Sequence, residues 1–138
     1  MQNLDKLNQL LTEFYDKMSS WEQSVVKETG YTLAQTHTIE VLGVHGALRM
    51  KELAEKLGIT TGTLTVQIEK LVKADLIERQ THPTDRRAIV VALTEQGQEI
   101  HRHHNQLHLD LVTDLTRNIE PSEVEVLMRC LNSMNREF

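Results

Sequence analysis

The sequence predicts a mainly α-helical fold with one small β-hairpin, on three observations. Apolar residues recur at spacings of three and four along both ends of the chain. Two shorter periodic stretches in the middle are punctuated by Gly58 and by threonines that suit helix caps. A β-branched run, RAIVVALT, follows a polar loop containing Pro83.

Leu4, Leu7, Leu11, Phe14, Met18, Trp21 and Val25, with Leu10 beside them, place one long amphipathic helix over about 3–28. Its stripe is more than one short partner covers, so it predicts an interface as well as a core. Gly30 ends it. Thr32 and Gln35 have the form of a capping box and open a second helix through about Gly43. Leu33, His37 and Val41 share one stripe of that helix, with Ile39 and Leu42 on the next. Met50, Leu53, Ala54 and Leu57 make a third helix, stopped by Gly58. Thr60 or Thr61 caps a fourth, over about 60–74, with Leu64, Ile68, Leu71 and Val72 inward.

The period then changes. LIERQ and RAIVVALT read as two strands around the loop Thr81–Arg87, and Pro83 suits a loop better than a paired central strand. From Thr94 a long helix resumes through Ile100, His104, Leu107, His108, Leu111 and Leu115, tolerating Gly97 in its second turn. Pro121 opens a last helix with Val124, Leu127, Leu131 and Met134 on one side. Helix, short turn, helix and hairpin over 47–93 spell a winged helix-turn-helix. The long helices within 1–31 and 95–138 read as dimerisation elements of a single domain, 1–138.

The 138 residues suffice for one real core. A net charge of −5 argues at first against nucleic acid, but its distribution does not. Arg49 to Leu93 holds eight Lys/Arg against six Asp/Glu, whereas the rest holds seven against fourteen. Phosphate attraction is local to a Debye length of ~8–10 Å, so a basic middle between acidic arms is compatible with double-stranded DNA. No apolar run approaches the ~20 residues of a membrane span, so no membrane partner is expected. The N-terminal stretch lacks the pattern of a secretory signal, and the lone Cys130 makes no internal disulfide. The cytoplasm is the expected compartment. No phosphate loop, nucleophile motif or paired catalytic carboxylates appear, so the chain is not expected to be an enzyme. Cys130 reads as a half-buried structural thiol.

With Leu64, Ile68 and Leu71 turned inward, the fourth helix presents Thr63, Val66, Gln67 and Lys70, with Thr60 and Thr61 at its start. Hydroxyls, one amide and one cation, with no carboxylate at the tip, suit a major groove. The hairpin tip adds His82, Arg86 and Arg87, and an arginine there suits the narrow, electronegative minor groove. Asp85 is placed to hold one guanidinium in a fork and fix its aim.

The stretch MKELAEKLGITTGTLTVQIEKLVKADLIERQTHPTDRRAIVVALTEQG resembles the DNA-binding core of the MarR family of bacterial repressors. Its signature is the wing's Asp-x-Arg, here Asp85 and Arg87, followed by a β-run and LTEQG. The long flanking helices are similar to the family's dimerisation region. The resemblance implies a homodimeric repressor on a pseudo-palindromic operator, with Arg87 in the minor groove.

Four histidines, His101, His103, His104 and His108, fall within eight positions. At 100° per residue His104 and His108 turn inward, His101 sits at the edge and His103 faces solvent. His37 is expected on the apolar side of the second helix. THTIEVLG and IHRHHNQLH are similar to the FabT-type fatty-acid-synthesis repressors, which sense acyl chains on acyl carrier protein. A zinc-dependent branch that represses zinc uptake places histidines where His37, His104 and His108 stand, but Thr36 replaces its neighbouring carboxylate. The expectation is that His37, His104 and His108 line a pocket for a small-molecule, acyl or metal effector, between the dimer region and the DNA-binding lobe. No cofactor is expected. The alternative is Zn2+ on these three histidines, with Glu22 and Glu40 among the acidic candidates to complete the site. A zinc hydrolase is the rival from another class.

Overall fold

In the computed structural model, residues 2–138 are described, with side chains from Asn3 onward. They form α1 (Gln2–Thr29), α2 (Leu33–His45), β1 (Leu48–Arg49), α3 (Met50–Leu57), α4 (Thr61–Lys73), β2 (Ile77–Thr81), β3 (Ile89–Leu93), α5 (Glu95–Leu115) and α6 (Pro121–Asn135). The chain divides into two units, Met1–Glu99 and Ile100–Phe138.

Capping chemistry sets the helix boundaries of the first unit. The Thr32 hydroxyl accepts from the Gln35 amide and the Gln35 side chain accepts from the Thr32 amide, both at 3.0 Å, which is the expected capping box. α2 runs past Gly43 to His45 and stops at Gly46, whose φ is 77°. Thr60, not Thr61, caps α4, accepting from the Thr63 amide at 3.2 Å. α4 ends without a glycine. Asp75 takes a left-handed φ of 62°, while the Leu76 amide donates to the Leu71 carbonyl and the Asp75 amide to that of Val72, both at 3.0 Å. That pair of bonds is a Schellman motif, and it turns the chain sharply from α4 into β2.

The expected two-stranded hairpin is a three-stranded antiparallel sheet of order β1-β3-β2. Leu48 and Arg49 pair with Val91 and Val90, and Ile77 to Thr81 pair with Leu93 to Ile89. Two residues are too few for alternation to show, so β1 exists only through its partner strand. Ile39, Leu42, Leu53, Leu64, Ile68, Leu71, Ile77 and Val91 are fully buried, drawn from α2, α3, α4, β2 and β3. Each stabilises the unit by roughly 1.5–3 kcal/mol of apolar burial.

α5 leaves the sheet through a tight junction. The Thr94 amide donates to the Leu76 carbonyl at 3.0 Å, and its hydroxyl donates to the Asp75 carbonyl at 2.7 Å and accepts from the Gly97 amide at 3.1 Å. A Cβ on Gly97 would overlap the Leu76 carbonyl oxygen. The glycine that the sequence reading merely tolerated is required by this contact.

On α1, Leu4, Leu7, Leu11 and Phe14 are exposed, whereas Val26 near its end is buried. In the second unit, Leu109, Val112, Leu127, Leu131 and Met134 are exposed. Among the described residues no helix is long and apolar enough to cross a membrane.

Candidate nucleic-acid interface and histidine pair

Burying Leu64, Ile68 and Leu71 leaves Thr60, Thr61, Thr63, Val66 and Lys70 exposed along α4. The Thr60 hydroxyl donates to Thr63 Oγ1 at 3.0 Å, which orders the helix tip. Gln67 departs from the expected outward face. It is half-buried, and its Oε1 lies 3.4 Å from the hydroxyl of buried Thr38 on α2. The first carboxylate along α4, Glu69, pairs with Arg79 of β2.

The wing tip spans 82–88. The His82 amide donates to the Ala88 carbonyl and the Ala88 amide to the Asp85 carbonyl, each at 3.1 Å. Arg86 and Arg87 occupy the centre of the Asp85–Ala88 turn, and both are exposed. Asp85 does not fork a neighbouring guanidinium as expected. Its Oδ1 accepts from the Arg87 backbone amide at 3.1 Å, and its Oδ2 lies 3.9 Å from the guanidinium of Arg49 on β1. It therefore aims Arg87 through the backbone. Arg49 was missed because only the β1–β3 register brings it to the wing. His82 is half-buried, and its Nδ1 accepts from the amides of Thr84 at 3.2 Å and Asp85 at 3.1 Å.

In the second unit His104 is buried and His108 half-buried, with Nε2 atoms 3.1 Å apart. The ring centroids are 4.8 Å apart and the planes cross at 61°. At that separation one ring donates to the other. Two imidazoles at ~2.0–2.1 Å from one tetrahedral zinc would hold their nitrogens about 3.3 Å apart, so the pair fits as two zinc ligands. His103 is exposed and His101 half-buried, as the helical phase requires. His37 is not inward. It is exposed, and Thr36, Thr38, Ile39 and Leu42 are the buried residues of α2. Apolar residues occur all round this helix, so periodicity alone assigned the wrong face. Cys130 is exposed, not half-buried.

Residues 31–89, from the start of α2 through the wing, match the MarR family. Over 76% of its length the chain is 29% identical to the uncharacterized HTH-type transcriptional regulator YfiV of Bacillus subtilis, and the match spans 66% of that protein. It is similar in structure to wild-type MarR of Escherichia coli in its apo form, with 27% identity and a TM-score of 0.71 over 93% of this chain and 96% of that one. It is also similar to FabT of Streptococcus pneumoniae, solved in complex with DNA, with 24% identity and a TM-score of 0.84 over 96% and 95% of the two chains. The FabT likeness concerns the fold and does not select that branch. With the sequence match across the helix-turn-helix and wing, and the fold match along nearly the whole chain, the zinc-hydrolase reading falls: the helix-turn-helix and wing of this chain, residues 31–89, are those of the MarR family of winged helix-turn-helix transcription regulators, which are not enzymes.

Proposed function

We propose that this chain is a cytoplasmic repressor that binds a pseudo-palindromic DNA duplex as a homodimer. One observation carries the reading: Arg86 and Arg87 stand exposed on a hydrogen-bonded turn, in the same unit as a helix tip free of carboxylates. α4 enters the major groove, where Thr60, Thr61 and Thr63 meet phosphates and base edges, Val66 packs on a thymine methyl and Lys70 meets phosphate. Gln67 reads a base only by leaving Thr38. The wing reaches the adjacent minor groove. Selection from a randomised duplex pool, followed by footprinting, should return a site with dyad symmetry. Recovery of unrelated sequences bound with equal affinity would overturn the reading.

The exposed apolar stripes of α1 and α6 support the dimer, because monomers rarely leave such contiguous apolar surface in water. Sedimentation should show a dimer at micromolar concentration, and Leu11→Lys with Phe14→Lys should weaken it at least tenfold. A folded wild-type monomer at that concentration contradicts this.

An effector, small-molecule or acyl, acts through a pocket to which His104 and His108 contribute. A second reading, zinc, is favoured by the 3.1 Å approach of the two Nε2 atoms. Protein isolated without chelator and dialysed with zinc separates them. The first reading expects substoichiometric metal. The second expects one zinc per chain, lost together with zinc-dependent DNA binding in His104→Ala and His108→Ala. Two imidazoles fall short of three protein ligands, so His37→Ala, Glu22→Gln and Glu40→Gln would then identify the remainder.

A further inference from the structure

The wing tip contains a histidine used as a hydrogen-bond acceptor for the backbone. Pro83 has no N–H and a fixed φ, so the turn that follows it leaves the amides of Thr84 and Asp85 in need of a common acceptor. Asn or Asp one residue before the proline would ordinarily supply it, through the side-chain oxygen of an Asx-turn. Here that position is His82, and its Nδ1 lies 3.2 Å from the Thr84 amide and 3.1 Å from the Asp85 amide. The Thr84 hydroxyl is 3.4 Å from the same atom. A ring nitrogen that accepts carries no proton, so the ring is neutral with its hydrogen on Nε2. Asp85, held in this way, receives the Ala88 amide on its carbonyl and the Arg87 amide on its carboxylate. The order passes from the imidazole to Asp85, and from Asp85 to the two arginines.

We propose that His82 is a positioning residue for DNA binding: its neutral ring caps the wing turn that presents Arg86 and Arg87, and protonation of the ring releases that turn. The proposal rests on the DNA-binding reading above. A protonated Nδ1 becomes a donor facing two donors. The charged groups of the wing are Glu78 and Arg79 on β2, Asp85, Arg86 and Arg87 in the loop, and Arg49 on β1; Arg79 pairs with Glu69 and Glu78 accepts from Gln80. The Asp85 carboxylate accepts from the Arg87 amide and lies 3.9 Å from the Arg49 guanidinium. A proton on Nδ1 removes the acceptor that both amides share, so acidification should weaken binding. Had His82 touched DNA phosphate directly, acidification would strengthen binding. The sign of the pH effect separates the two roles.

The test uses the full chain, His82→Asn, His82→Ala, and the duplex that the wild type selects from a randomised pool. At about pH 7.5 His82→Asn should bind within roughly twofold of wild type, because the amide oxygen restores the acceptor, and His82→Ala should be weaker by roughly fivefold to tenfold. At about pH 5.5 wild type should lose a similar factor relative to His82→Asn, a comparison in which the other histidines cancel. Nitrogen-15 NMR on the free protein should show an unprotonated Nδ1 at neutral pH, with the Thr84 and Asp85 amides shifting on acidification. Neutral-pH affinity of His82→Ala equal to wild type overturns the proposal. So does a wild type that parallels or outperforms His82→Asn in acid. If no duplex is selected at all, the DNA-binding reading fails, and the ring tautomer still decides the cap: a proton found on Nδ1 overturns it.

Discussion

Arg87→Ala should weaken binding to the selected duplex by about 1–3 kcal/mol per half-site, and a dimer loses the contact twice. The guanidinium is exposed at the centre of the wing turn. Its deletion should therefore leave the melting temperature of the free protein unchanged. The narrow minor groove concentrates negative potential, and a cation inserted there is desolvated against it, which makes the contact strong and sensitive to groove shape. Arg86→Ala should act differently, weakening selected and scrambled duplexes alike and lowering the salt slope by about one per subunit. Asp85→Ala should give a milder form of the Arg87→Ala defect, since the arginine remains while the amide bond that aims it is lost. Arg49→Ala should matter least, because a 3.9 Å pair between half-exposed groups is worth about 1 kcal/mol at most. Wild-type affinity in Arg87→Ala would mean that the wing does not reach the groove.

Gly97→Ala should destabilise the protein by about 2 kcal/mol. Helix propensity alone predicts the opposite sign, since replacing an interior glycine by alanine stabilises a helix by roughly 0.5–1 kcal/mol. The junction reverses it. The added methyl would overlap the Leu76 carbonyl oxygen and crowd the Leu93 side chain, and a backbone carbonyl cannot rotate aside like a flexible side chain. That carbonyl also accepts the Thr94 amide, so relief would break the bond that starts α5. Urea unfolding at one fixed protein concentration is the appropriate measurement, because dimerisation adds to apparent stability. A higher midpoint for Gly97→Ala would show that the junction opens easily.

The helices were legible because their signals are local. Thr32 with Gln35, Thr60, Gly58 and Pro121 stand where a cap, stop or first turn is observed, within a residue or two of the expected ends. The wing strands were legible from β-branched residues and a proline-bearing loop. The face of α2 was not, because Leu33 and His37 are exposed while Thr36 and Thr38 are buried. A helix that is apolar on several sides takes its orientation from its neighbours, here α3, α4 and β3. Thr38 then finds Gln67, and an amide read as groove-facing becomes half-buried.

By itself, the sequence determined a helix-turn-helix with a basic wing and apolar stripes longer than one small unit covers. Caps, periods and turn residues are relations among positions a few apart, and they can be read without knowing what lies across the fold. Tertiary structure alone decided the rest. β1 exists because β3 offers it hydrogen bonds, and with it Arg49 comes within reach of Asp85. Gly97 is needed because Leu76, distant in sequence, presents its carbonyl there. His104 and His108 share a face by spacing, but the 3.1 Å between their nitrogens depends on side-chain rotamers. Packing and hydrogen-bond satisfaction are properties of residues brought together from far apart, and periodicity carries no information about which atom ends up opposite which.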